Sequence, residues 1–238
     1  MMKTTFFLLF LCFITPSGVL GDGRILLISD YDYVPPIIDG AFPGGEWSNP
    51  QIYIEGGATT IETYVYFVND ASNLYVMVDA IGDESDDDLD ECLLSFFSNG
   101  VLTEAEIVGE SGTVKSGSFY AVVGYGGSPN KAEDHKMYEW RIPLSLINAE
   151  PGQSIDFCSP PFGHKPFETV SMPYDEETGR DNVWPEGVIY DTPETWGILK
   201  VSIPPVGGSI IRNHMNFSMV YSLGVLLIIL VVAFVLIR

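Results

Sequence analysis

Nine short stretches of this chain have the composition of β-strands, and none is longer than ten residues. They are QIYIE (51–55), TTIETYVYFV (59–68), NLYVMVDAI (73–81), ECLLSFF (91–97), SFYAVVGY (118–125), MYEWRIP (137–143), SIDFCS (154–159), ETVSM (168–172) and WGILKVSI (196–203). Each is rich in β-branched and aromatic residues and is bounded by Gly, Pro, Asn or Asp. In the second, Ile61, Thr63, Val65 and Phe67 share one face, and Tyr64, Tyr66 and Val68 the other. In the third, Leu74, Val76 and Val78 alternate with Tyr75, Met77 and Asp79. Asn69–Asn73 between them is a hairpin turn by composition. Only LSLINAE, after Pro143, reads as a helical turn. Many short strands with turn-rich links predict an all-β fold, a two-sheet antiparallel β-sandwich of jelly-roll-like form.

The ends are of another kind. Met1-Met2-Lys3, an apolar run from Phe6 to Ile14, then Pro16, Ser17 and Gly18 give the layout of a secretory signal, residues 1–21, with cleavage near Gly21. From Met219 to Ile237 the chain carries no charge; as a helix it spans roughly 28 Å, close to the hydrocarbon thickness of a bilayer. The expected organisation is an extracellular sandwich over 22–203, a linker over 204–218 and a transmembrane helix over 219–237, single-pass in the cell membrane. Gly207-Gly208-Ser209, a short spacer and the apolar tail also fit a lipid-anchor exchange signal. Either reading tethers the domain at an outer surface.

Charge narrows the partners. The net charge is −21, and all 32 acids lie between Asp22 and Glu194. No Lys or Arg stands between Arg24 and Lys115. Nucleic acid and anionic lipid both need basic patches, so neither is an expected partner. Cys12 leaves with the signal, and Cys92 and Cys158 remain as an even pair in an exported domain, an expected disulfide.

Ile38-Asp39-Gly40 followed by Glu46-Trp47, then Asn73-Leu74-Tyr75-Val76, then Tyr138-Glu139-Trp140-Arg141-Ile142-Pro143-Leu144, resemble in order and spacing the family 9 carbohydrate-binding modules and their DOMON-like relatives. The resemblance spans roughly residues 37–200 and implies a sugar-binding sandwich with an acidic, metal-associated loop after the second motif. The chain departs from the pattern at Phe97, where the family commonly has an acid. Pro205-Val206-Gly207-Gly208 ahead of the terminal span resembles the end of many archaeal surface proteins.

The acidic loop lies where the resemblance places it. Six acids and a serine crowd into Asp83–Asp90. Calcium takes six to eight oxygen ligands, and Asp83, Asp86, Asp88 and Asp90 with backbone carbonyls are the expected set. The Asp86-x-Asp88-x-Asp90 spacing imitates the start of an EF-hand loop, but Glu91 stands where that loop needs Gly, which rules the EF-hand out. The competing reading is a solvated turn.

Sugar binding uses aromatic faces. Of the four tryptophans, Trp140 and Trp196 read as core, while Trp184 and Trp47 stand in Gly/Pro loops and are the expected ligand platforms. No G-x-S-x-G, H-E-x-x-H or phosphate loop occurs, and His135, His164 and His214 stand apart without flanking motifs. The expected function is therefore a non-catalytic, calcium-supported module that binds polysaccharide or a surface glycan. The alternatives are a structural cell-envelope protein packing with its neighbours, and, from the DOMON-like resemblance, a haem domain using Met77 with His135 or Lys136.

Overall fold

The computed structural model describes residues 18–19, 23–158, 173–175, 177–189 and 191–205. The expected strand over 168–172, the linker beyond Pro205 and the span over 219–237 lie outside the described residues. So does the expected signal, apart from Gly18 and Val19. Among the described residues no helix is long and apolar enough to cross a membrane.

Among the described residues fifteen strands form two sheets: β1 (Gly18–Val19), β2 (Ile25–Ile28), β3 (Asp30–Tyr31), β4 (Ile52–Ile54), β5 (Thr63–Asn69), β6 (Asn73–Ala80), β7 (Glu91–Ser98), β8 (Val101–Val108), β9 (Val114–Lys115), β10 (Tyr120–Gly126), β11 (His135–Pro143), β12 (Ser154–Cys158), β13 (Tyr174–Asp175), β14 (Arg180–Asp181) and β15 (Gly197–Lys200). One sheet runs β1-β2-β15-β12-β7-β13-β14, with β8 on the other side of β7. The second runs β3-β5-β6-β11-β10-β9, with β4 also on β5. Pairing is antiparallel except for β2 with β15 and β3 with β5. Those two parallel pairs arise because the chain changes sheets at Ser29, the single residue between β2 and β3. Ser29 is buried there and donates its hydroxyl to Asn69 Oδ1 at 2.6 Å.

The alternation seen in sequence decides the layers. Val65, Phe67, Leu74, Val76 and Val78 point inward and meet Leu94, Phe96, Phe157 and Leu199 of the opposite sheet. Phe67 and Phe157 touch across the gap with ring centroids 5.2 Å apart. The other face of β5, β6 and β11 is covered by the segment before β4. Phe42 and Trp47 pack there on Tyr66, Val68, Tyr75, Met77 and Met137. Glu139 Oε2 accepts the amides of Asp39 and Gly40 at 2.9 and 2.6 Å and so ties that segment down. The tie needs close backbone approach, since a Cβ on Gly124 would lie 1.8 Å from the Gly40 carbonyl oxygen. The Ile38-Asp39-Gly40 and Tyr138-Glu139-Trp140 motifs are thus two halves of one contact.

Cys92 and Cys158 do not form the expected disulfide; both are free and buried. On paired strands Cys158 stands opposite Ser95, an odd number of residues from Cys92. Successive side chains alternate faces, so the two thiols project from opposite sides of the sheet. Cys92 belongs to the inner core and Cys158 does not.

Candidate functional site

Four chain segments meet at the end of the sandwich where β6 finishes. Gly82 donates its amide to the Glu62 carbonyl at 3.0 Å, and Asp181 to Thr59 at 3.1 Å. Gly109 donates to Asp90 at 2.9 Å. The side chain of buried Asn182 accepts the Ile61 amide and donates to the Ile61 carbonyl. Glycine is required at 82, where a Cβ would lie 2.6 Å from Glu62 N.

The acidic loop is part of this junction. Asp83 and Asp90 are fully buried and lie together with Asp175 from β13, one carboxylate oxygen of each within 4.8 Å of the others. Two cations sit beside the triad. The Lys136 side chain is fully buried, and its ammonium lies 3.1 Å from Asp90 Oδ2 and 3.1 Å from Asp86 Oδ1. It also donates to the carbonyls of Asp87 and Gly109 at 3.0 and 3.3 Å. Arg180 Nη2 donates to Asp175 Oδ2 and to the Gly82 carbonyl, both at 2.8 Å.

Asp83 has no such partner. Its Oδ1 accepts the Ser85 amide and hydroxyl at 3.2 and 2.9 Å, while its Oδ2 is buried with no hydrogen bond. Burial, and then the charge of Asp90, push its pKa up to about 7. Asp175 behaves oppositely. Burial raises its pKa, but Thr178 donors and Arg180 outweigh that and leave it below the usual carboxylate range.

Of the four expected calcium ligands, two are therefore elsewhere. Asp86 spends its oxygens on Lys136 and on the Ser111 amide and hydroxyl. Asp88 is exposed. The third acid of the triad, Asp175, comes from a distant run, Tyr-Asp-Glu-Glu, that composition alone does not single out. Three carboxylate oxygens this close together are near enough to share one hard cation. The unpartnered Asp83 oxygen is the atom such an ion would satisfy.

The tryptophans do not make the expected platforms. Trp184 is 9% exposed, tilted on Phe157 at 5.6 Å. A Cβ on Gly197 would lie 2.4 Å from the Trp184 ring, so that glycine makes room for it. Trp47 is 3% exposed and rests on Tyr66 at 6.4 Å. Both are lids on apolar clusters, as large rings in short loops commonly are. The haem pair is not assembled either. Met77 is buried beside Phe42 and Trp47, Lys136 is surrounded by oxygens, and both nitrogens of His135 are engaged, by the Glu133 carbonyl at 2.7 Å and by Asp79 Oδ1 at 2.6 Å.

A partly exposed aromatic pair lies on the second sheet. Tyr53 and Tyr64 stand opposite each other on β4 and β5. Their centroids are 4.8 Å apart at 34°, and Tyr53 is 52% exposed. The Tyr53 hydroxyl donates to Glu62 at 3.0 Å. Glu62 is the residue whose carbonyl holds Gly82, so ring pair and acidic loop share one backbone junction.

No family model matches the sequence, and no curated protein matches it. Among solved structures, the chain is similar to a family 9 carbohydrate-binding module from Caldicellulosiruptor kristjanssonii in complex with glucose, at 16% identity and a TM-score of 0.42, over 78% of this chain and 100% of that one. It is likewise similar to that organism's family 9 module in complex with cellotriose, at 15% identity and a TM-score of 0.45, over 79% of this chain and 99% of the other.

Proposed function

We propose that this protein is a non-catalytic binding module, tethered at an outer cell surface, that takes a neutral polysaccharide on the Tyr53–Tyr64 surface while calcium holds the neighbouring loop at Asp83, Asp90 and Asp175. The observation that carries the reading is the half-exposed Tyr53 ring lying on Tyr64 with Glu62 at its hydroxyl. An aromatic face packs on the C–H face of a pyranose, and a carboxylate beside it accepts hydroxyl protons. The rings lie 34° apart, nearer to one shared surface than to the perpendicular walls that enclose a cation. The chain's charge of −21 disfavours acidic glycans. Export by residues 1–21 and anchoring by 219–237 belong to the same proposal.

A glycan array probed with the full-length protein in detergent micelles tests it. Neutral oligosaccharides bind and Tyr53→Ala abolishes their signal. If no glycan is retained, the sugar reading is wrong, and packing within a cell envelope takes its place.

A further inference from the structure

On the outer face of the second sheet, strand register sets Tyr53, Tyr64, Asp79 and Met137 in one row across β4, β5, β6 and β11. Side chains directly opposite each other on paired strands start about 5 Å apart. Asp79 is therefore the next side chain after Tyr64 in the row that begins with the half-exposed Tyr53.

Asp79 is fully buried, and what closes over it is the connection between β10 and β11. Its Oδ2 accepts the Ser128 hydroxyl at 2.8 Å and the Asn130 side-chain amide at 2.7 Å, and its Oδ1 lies 2.6 Å from His135 Nε2. The connection is tied down at further points. Ser128 donates its amide to the Lys131 carbonyl at 2.7 Å, and Asn130 donates its own to Ser128 Oγ at 3.1 Å. The Lys131 ammonium donates to the Ile81 carbonyl at 2.9 Å and pairs with Glu84. Pro129 fixes one backbone torsion between them.

These ties leave the Asn130 side chain one orientation. An ionised carboxylate has no hydrogen to donate, so the amide nitrogen faces Asp79 and the amide oxygen faces away. The same nitrogen donates to the Tyr66 hydroxyl at 2.7 Å, which uses its second hydrogen. Asn130 is exposed, and its Oδ1 accepts no hydrogen bond among the described residues. It is a surface acceptor whose rotamer is already fixed, so a ligand that meets it loses little side-chain entropy there. Tyr64 stands between two such oxygens: Glu62, which holds the Tyr53 hydroxyl, and Asn130, which is held by Asp79.

We infer that Asn130 is a ligand-contacting residue of this surface, its Oδ1 accepting a hydroxyl proton from a sugar stacked on Tyr53 and Tyr64 and so selecting among neutral sugars by the position of that hydroxyl. This rests on the reading that the ring pair takes a polysaccharide. Aromatic faces hold many sugars alike, because most pyranoses present C–H bonds to them; a few fixed polar groups supply the discrimination. A site built to meet a hydroxyl rejects the analogue that lacks it, since the site oxygen then loses its partner.

The test is calorimetry on the full-length protein in detergent micelles. The probes are β-linked trisaccharides of glucose, mannose, galactose and xylose, and the monodeoxy forms of the tightest binder. Wild type is expected to bind one monodeoxy form about fivefold or more weakly than its parent. Asn130→Ala is expected to bind the parent that much more weakly and to treat the parent and that monodeoxy form alike. A role confined to supporting Asp79 would weaken both sugars and preserve the ratio between them. Asn130→Ser keeps a donor in the turn but not the outward carbonyl, and is expected to lose the same discrimination even if Asn130→Ala does not fold. Wild-type affinity in the Asn130 variants, or a preserved ratio, overturns the inference. In either case, loss of all binding in Tyr53→Ala leaves the ring site standing. If wild type binds none of the four trisaccharides, the sugar reading fails and this inference fails with it.

Discussion

At the scale of single residues, two buried groups set how the fold responds to pH. Glu139 is buried, and that burial raises its pKa to about 8 although its Oε2 accepts two backbone amides. Its folded value lies above its unfolded value. Its contribution is therefore complete below about pH 4.5 and is lost as pH rises through 8. Between pH 7 and 9 the loss is roughly 1.4 kcal/mol, or about 3–6 °C in Tm. Glu139→Gln keeps an acceptor for Asp39 and Gly40, and its melting temperature is expected to stay level over that range; thermal scans of both proteins at pH 7, 8 and 9 check this. The thiols give a second residue-scale expectation. Burial pushes the pKa of both Cys92 and Cys158 upward. Neither should react with a thiol reagent in the native protein, and both should react in denaturant. A mixed-disulfide count below two in denaturant contradicts the free state.

At the scale of elements, the acidic loop is closed by a lysine before any metal is considered. The Lys136 ammonium, shut off from solvent, lies among oxygens of Asp86, Asp90 and two carbonyls. Lys136→Met leaves buried oxygens without a cation and is expected to destabilise by about 3–5 kcal/mol. Asp86→Asn, at the exposed rim of the same cluster, costs about 1 kcal/mol or less. Denaturant titration separates them, and equal effects contradict the assignment of Lys136 as the internal counter-ion. Elements also show how far sequence reaches. The hairpin β5–β6 was legible because each strand alternates, Val65 and Phe67 with Tyr64 and Tyr66, and Leu74, Val76 and Val78 with Tyr75, Met77 and Asp79. β8 was not, since Glu104 and Glu106 alternate with Ala105 and Ile107 and give the segment a polar composition. The thiol pairing failed on parity, which depends on strand register and not on spacing. The acidic loop announced itself by composition, but its members separated by partner: Asp86 went to Lys136, Asp88 to solvent, and the place beside Asp83 and Asp90 to Asp175. That exchange depends on a long-range strand pairing, β13 on β7, that no local pattern reports. Trp184 and Trp47 were misplaced for a related reason. A ring in a Gly/Pro loop is a platform or a lid according to the cavity beneath it.

At the scale of the whole molecule, several terms favour the sandwich near pH 6 over pH 9. The surface carries a charge of −21, and protonation relieves its repulsion. His135 adds to this. Burial alone would lower its pKa, but Asp79 and the Glu133 carbonyl outweigh burial and raise it. Its contribution is present below 6.5 and lost as pH climbs through the folded value. Melting temperature is therefore expected to rise as pH falls from 9 to 6, and a maximum above pH 8 contradicts this. The Glu62 backbone carbonyl holds Gly82 while its side chain meets the Tyr53 hydroxyl, so the proposed calcium and glycan sites are joined through one residue. The direct test is a calorimetric titration of the best array glycan into the full-length protein, in calcium and in chelator, with wild type and Tyr53→Ala. The account predicts binding in calcium, weakening of tenfold or more in chelator, and no heat with Tyr53→Ala. Equal binding by the Tyr53→Ala protein, or affinity unchanged by chelator, contradicts it.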